Sequence, residues 1–243
     1  MKLSRINIIG SLLCLLISIG VNAQKESLTE LCKGINSLVN SEGGLHIEYD
    51  MIMMGRGVEY TNPDSIKISY FKNGTKGFHI KQGEFQEILR DGNKVVMISH
   101  EEKQVMYQVD TNDITNSNDL FNQISDLVEL SSNIDLLVKG DSLIYNLSLK
   151  SNHMYDKVTF KFSKKSKKIL SMYAVFKKDY HEPYKYLKVI YTYWNQNWEP
   201  TKGFPNLKKY IVKSNGKLIA GKLISGYSVF APQTQNINID LSK

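Results

Sequence analysis

Cysteine is scarce. The 243-residue chain holds two, Cys14 and Cys32, which excludes a disulfide framework and a cysteine-rich metal site. Histidine supplies no metal signature either. His46, His79, His100, His153 and His181 are spaced neither with one another nor with cysteine as zinc ligands are, and no HExxH occurs. There is no GxSxG elbow, and Cys32 lacks the context of a cysteine protease. Gly55-Arg56-Gly57 is too short for a phosphate loop and does not open a helix. Carboxylate pairs such as Glu101-Glu102 fall in expected turns, where solvation accounts for them. The chain therefore reads as a non-enzyme with no metal and no cofactor. Beyond residue 21 no stretch approaches 18 apolar residues. Low-complexity sequence, linkers and convincing repeats are also missing. Arginine vanishes from a long stretch: residues 150–222 hold 17 Lys, no Arg and four acids.

What is present is an ordinary globular composition, 42% hydrophobic and 23% charged, long enough to bury a core without staples. Ten per cent aromatics, 14 of them Tyr, favour β structure. At the N-terminus Lys2 and Arg5 precede an almost wholly apolar stretch over 6–21. Val21-Asn22-Ala23 closes it in a small-residue cleavage pattern. The expected signal peptide is 1–23, with Gln24 the first mature residue. A membrane anchor needs about 20 apolar residues, and this run is shorter. Cys14 follows Leu13 inside the run, which does not suit lipidation. Cleavage leaves Cys32 alone, on an apolar helical stripe that suggests a buried, inert thiol.

Along the mature chain the apolar period switches twice between 3.6 and 2. Leu28, Leu31, Cys32, Ile35, Leu38 and Val39 predict an amphipathic helix over 26–40, with Ser27 and Glu30 as a capping box. Alternation then predicts strands over 45–54, 65–72, 78–80, 85–89, 94–100 and 104–110. Asn73-Gly74 and Asp91-Gly92 mark hairpins between them. Leu120, Phe121, Ile124, Leu127, Val128 and Leu130 predict a second helix over 117–131, capped by Ser117 or Asn118. Further strands are expected over 134–139, 142–149, 157–163, 169–176, 186–194, 209–213, 217–223 and 227–230, the Asn215-Gly216 hairpin among them. Residues 232–243 read as a loose tail. Two helices with apolar faces must pack on the sheet. The expectation is a mainly β, α+β fold in one domain over 24–243. It is a strongly curved antiparallel sheet or unclosed barrel of 10–12 strands, with the helices on its concave face.

This pattern resembles the LolA/LolB-like lipoprotein carrier superfamily. The residues that suggest it are the strand 66–71, the stretch 85–93, the rhythm of 95–109 and the strand–basic turn–strand of 142–176. The resemblance covers about 25–230. It implies a soluble periplasmic monomer with an apolar cavity between sheet and helical lid, and a lipid or lipoprotein acyl group as cargo. The family also carries an Arg on an early strand tied to lid opening, a place Arg56 would take.

Two features stand out in the residues themselves. Met51, Met53 and Met54 put three adaptable side chains on one strand, a pattern of either a loosely packed core or a ligand surface. The expected cavity pairs Leu31, Ile35, Phe121, Ile124 and Val128 of the helices with Met51, Met53, Ile68, Phe78 and Ile80 of the sheet. The second feature is charge segregation. Residues 24–149 carry 11 basic and 19 acidic residues, and the lysine-rich stretch follows. Lys157, Lys161, Lys164, Lys165, Lys167 and Lys168 then form either a solvated face or a basic surface for anionic membrane or acidic envelope partners. Nucleic acid does not suit an exported chain. The other reading of the whole is a scaffold or accessory subunit of an envelope assembly, its cavity filled by its own side chains.

Overall fold

The computed structural model describes residues 23–39, 41–56, 64–74, 77–109, 119–150, 153–179, 183–201 and 204–231. The apolar N-terminal stretch, the Ser117 or Asn118 cap and the 232–243 tail lie outside the described residues.

A helix, α1, runs over 23–39. Six strands follow: β1 Gly44–Gly55, β2 Asp64–Asn73, β3 Gly77–Gln82, β4 Gln86–Asp91, β5 Lys94–Ser99 and β6 Gln104–Val109. Helix α2, Asp119–Glu129, leads to β7 Ser131–Lys139, β8 Ser142–Leu149, β9 Tyr155–Ser163, β10 Ile169–Phe176 and β11 Tyr184–Asn195. Then come β12 Ile211–Ser214, β13 Lys217–Ala220 and β14 Ser228–Phe230, with 3-10 turns at Leu207–Lys209 and Lys222–Ile224. Twelve strands form one sheet in the order β14-β6-β5-β4-β3-β2-β1-β11-β10-β9-β8-β7. Its ends do not meet, so it is an open sheet of the expected strand number.

Several sequence expectations are corrected. β12 and β13 make a separate two-stranded sheet, and β14 runs parallel to β6, so the strands are not all antiparallel members of one sheet. The strand expected over 227–230 is there, but a three-residue strand carries no signal of its partner, and the chain reaches β6 only by a long return. Ser27 is not a helix cap. The helix already exists at 23, and the Ser27 hydroxyl lies 2.9 Å from the Tyr145 hydroxyl. The second helix stops at Glu129, because Ser131 already pairs with Leu149 in β7–β8. Phe85 sits in the turn before β4, 60% exposed, instead of starting a strand. Asn215 and Gly216 do form a two-residue hairpin loop, both at positive φ (50° and 77°), as that turn type demands.

The described residues gather into two compact units. One takes in those of 1–37, 52–64 and 119–190, the other those of 38–51, 65–118 and 191–243. The first unit has a closed core. Register sets Ile134 beside Leu147, Leu147 beside Val158, Tyr145 beside Phe160 and Val158 beside Ala174 on one face of β7–β10. These residues are buried, as are Leu28, Cys32 and Ile35 of α1 and Ile124, Leu127 and Val128 of α2. The bond from Ser27 places α1 over Tyr145. Burial pushes the Cys32 thiol up to about 12, which keeps it protonated and unreactive.

The second unit closes one face of β2–β6 with its C-terminal segment. Leu89, Val96, Ile98, Val105 and Tyr107 point to the same side and pack with Leu207, Tyr210, Ile211 and Ile224. His46, Phe71, His79, Trp198 and Phe204 extend this layer as aromatic contacts, His46 stacked on Phe71 at 4.3 Å. Within the layer Glu87 is clasped from both sides. His79 Nε2 is 2.6 Å and His100 Nε2 3.1 Å from its carboxylate, and the Tyr210 hydroxyl donates to it at 3.3 Å. Burial disfavours the Glu87 charge, yet the two histidine hydrogen bonds and nearby Lys81 overcome this and hold its pKa at about 2. A carboxylate depressed in the folded state stabilises above its unfolded pKa, so this contribution is lost as pH falls from about 4.5 toward 2. Glu87→Gln should therefore cost on the order of 2–3 kcal/mol at neutral pH. It should also flatten the acid limb of the stability curve, measured by urea titration at stepped pH. An acid limb identical to that of the wild type would remove Glu87 from the account.

Candidate functional site: the second face of the β1–β6 strands

The opposite face of the same strands is built differently. Cross-strand register aligns Tyr70 with Ile80, Ile80 with Ile88, Ile88 with Met97 and Met97 with Met106, an apolar row across five strands. Phe78 lies beside it, next to Lys72. On β1, Tyr49 lies 5.4 Å from Tyr191 by ring centroids and close enough to Tyr70 to raise its pKa, so Tyr49 and, two residues on, Met51 share this face. Burial is the main cause of the raised pKa of Tyr49 and Tyr70 and keeps both phenols neutral.

Tyr49, Met51, Tyr70, Phe78, Ile80, Ile88, Met97 and Met106 are all only partly buried. Their counterparts across the same strands, Leu89, Val96, Ile98, Val105 and Tyr107, are at most 1% exposed. The first face is thus a finished core, whereas the second buries Leu45, Ile47, Ile68 and Val95 but keeps the large apolar side chains of the row half covered.

The end of α1 meets this face at Lys72. Its buried ammonium donates to the carbonyl oxygens of Val39 and Ser41, satisfying acceptors that a helix end leaves open. Desolvation lowers the Lys72 pKa.

Of the cavity residues expected from the sequence, Met51, Ile68, Phe78 and Ile80 belong to the second unit and share this face. Ile68 is 3% exposed. Leu31, Ile35, Met53, Ile124 and Val128 belong to the first unit. There Ile35, Ile124 and Val128 are buried, and Leu31 and Met53 partly so. Phe121 lies in α2, with its side chain outside the described set. Sequence reasoning missed Tyr49, Tyr70, Ile88, Met97 and Met106. Period-2 counting from the Asn-Gly and Asp-Gly turns carries a face from one strand to the next and would have found the last three.

Arg56 spans the end of β10. Its guanidinium donates to the carbonyls of Phe176, Lys177 and Lys178, the last at 2.7 Å, and its backbone N–H donates to Pro183 O. Lys157 is exposed and Lys161 partly so, while Lys164, Lys165 and Lys167 stand in the exposed β9–β10 turn and Lys168 is partly covered. Among the described residues no group of three or more His, Cys, Asp or Glu could hold a metal ion. No described helix is long and apolar enough to cross a membrane.

No protein-family model matches the sequence, and no curated protein matches it. Solved structures similar to the chain include an uncharacterized conserved protein from Thermus thermophilus, 9% identical with a TM-score of 0.46, over 84% of this chain and 99% of that one. Another is a LolA superfamily protein from Nitrosomonas europaea, 10% identical with a TM-score of 0.34, over 74% of this chain and 96% of that one. A third is an outer membrane lipoprotein-sorting protein domain from Vibrio parahaemolyticus, also 10% identical with a TM-score of 0.34, over 75% and 97% of the two chains.

Proposed function

We propose that the chain is an exported, non-catalytic binding protein that holds a lipid-like ligand, a fatty-acyl chain or the acyl group of a lipoprotein, against the half-covered face of β1–β6. The contrast between the two faces of one set of strands carries the reading. A fold that can bury Val96 and Val105 completely has left Phe78, Ile80, Ile88, Met97 and Met106 incompletely covered on the reverse side. Large apolar side chains kept that way are ready to cover something else. Met97 and Met106 lie directly opposite each other, and paired thioethers can repack around chains of different shape. Removing about 250 Å² of apolar surface from water contributes roughly 6 kcal/mol, before the cost of association. Binding then needs no polar chemistry.

Export rests on the 1–23 signal peptide, which would place the mature chain, starting at Gln24, in the periplasm. Organic extraction of the purified chain should return about one fatty acid or phospholipid per molecule, and the delipidated chain should saturate with a fluorescent fatty acid. No extractable lipid together with no saturable probe binding would favour the accessory-subunit reading.

A further inference from the structure

The first unit offers a different surface on its outward side. Alternation turns Lys157, Thr159 and Lys161 of β9 away from the buried Val158, Phe160 and Phe162. Register places Val175, Tyr173 and Ser171 of β10 beside them, and Tyr186, Lys188 and Ile190 of β11 beyond. Tyr173 therefore sits between Thr159 and Lys188, and its ring centroid is 5.4 Å from that of Tyr186. Strand spacing and rise make this three-strand patch roughly 10 Å by 13 Å. Lys157, Lys188 and Tyr173 are exposed. Ile144, Asn146 and Ser148 continue the face on β8. Among the described residues no carboxylate stands on this side of β8–β11, and none of the three lysines is in an ion pair.

The adjoining turn adds Lys164, Lys165 and Lys167, and Asp141 holds it in place. The Asp141 carboxylate accepts from Ser163 Oγ at 3.0 Å and Lys165 N at 3.1 Å, and its carbonyl accepts from Lys164 N at 2.7 Å. The turn lysines are thus presented by a fixed loop at the end of the same sheet face.

We propose that this face docks the protein onto an anionic lipid bilayer. Lysine ammoniums act as point charges that answer the diffuse field of a lipid surface. Shaped phosphate or base recognition prefers the planar fork of arginine, which is missing throughout 150–222. Tyrosine has the amphipathic body and polar tip that settle at headgroup level. The lysine pattern visible in the sequence lacked Lys188, Tyr173 and Tyr186, which only the β10–β11 register brings in.

The test is co-sedimentation of the purified exported chain with vesicles of phosphatidylcholine, with and without about one-third phosphatidylglycerol. Binding should require phosphatidylglycerol and fall steeply as salt rises toward about 0.5 M. Combined Lys157→Glu, Lys161→Glu and Lys188→Glu substitutions should weaken it about tenfold or more, with thermal unfolding unchanged. If that variant does not fold, the three Lys→Gln substitutions serve instead. Tyr173→Ser with Tyr186→Ser should weaken binding several-fold without changing its salt dependence. Sedimentation that ignores lipid charge or salt would overturn the proposal, as would a triple variant that sediments like the wild type. Capture of heparin or an acidic protein without capture of vesicles would overturn it too.

Discussion

Ile88→Glu should abolish saturable binding of a fluorescent fatty acid, a loss of at least about 100-fold, while leaving the chain folded. Ile88 occupies the middle of the apolar row, with Ile80 on one side and Met97 on the other. It is only partly buried, so a glutamate there can reach water in the free protein and costs little stability. With an acyl chain laid over the row, the same carboxylate must be desolvated or must displace the ligand. That penalty amounts to several kcal/mol, and about 1.4 kcal/mol is each factor of ten. Ile88→Met should bind nearly as well as the wild type, because the thioether and sec-butyl side chains fill similar volumes. Probe affinity unchanged in Ile88→Glu would mean that ligand, if any, sits elsewhere.

Phe160→Ala is the converse case. Phe160 is fully buried in the first unit, beside Tyr145 and Met172 in register and packed with the Phe162 ring at 6.3 Å. Truncating a phenyl ring in such a core costs about 3–5 kcal/mol, a large share of the roughly 5–15 kcal/mol available to a domain. Thermal unfolding should drop by about 10 °C. Phe78→Ala, on the half-covered face, should cost clearly less stability and clearly more probe affinity. The two substitutions thus separate a finished core from a working surface. Equal stability losses at Phe78 and Phe160 would show that the second face is core as well.

The difference between those faces also explains what could be read from sequence. Strands such as β2 and β8 were legible to within a residue or two, because they are rich in apolar residues and polar turns bound them. Helix α1 was legible from Leu28 onward, where its stripe begins. That the helix already exists at 23 was not, since Ala23 to Glu26 carry no apolar period. The pattern predicts strands over 209–213 and 217–223, and β12 and β13 form there, yet Leu207, Tyr210 and Ile224 are held in short 3-10 turns or beside them by the core they fill, a tertiary demand that overrides propensity. The clasp of His79, Glu87 and His100 is invisible as spacing. Glu87 lies opposite Lys81 and Ile98, so both histidines reach it along strand diagonals that only register defines. Of the expected cavity residues, Ile80 lies in the apolar row and Phe78 beside it. Ile88, Met97 and Met106 needed the hairpin registers before they joined the row.

Methionine methyl resonances test the central claim most directly. The chain contains eight methionines, and they report on distinct places. Met97 and Met106 sit opposite each other in the apolar row, Met54 alternates to the other side of β1 from Met51, and Met154 is exposed just before β9. With 13C-methyl methionine, titration of the delipidated chain with a fatty acid should shift and broaden Met97 and Met106 together, saturating at one equivalent. Met54 and Met154 should stay in place. Saturable binding that leaves Met97 and Met106 unmoved would contradict the account, because the ligand would then lie somewhere other than the half-covered face.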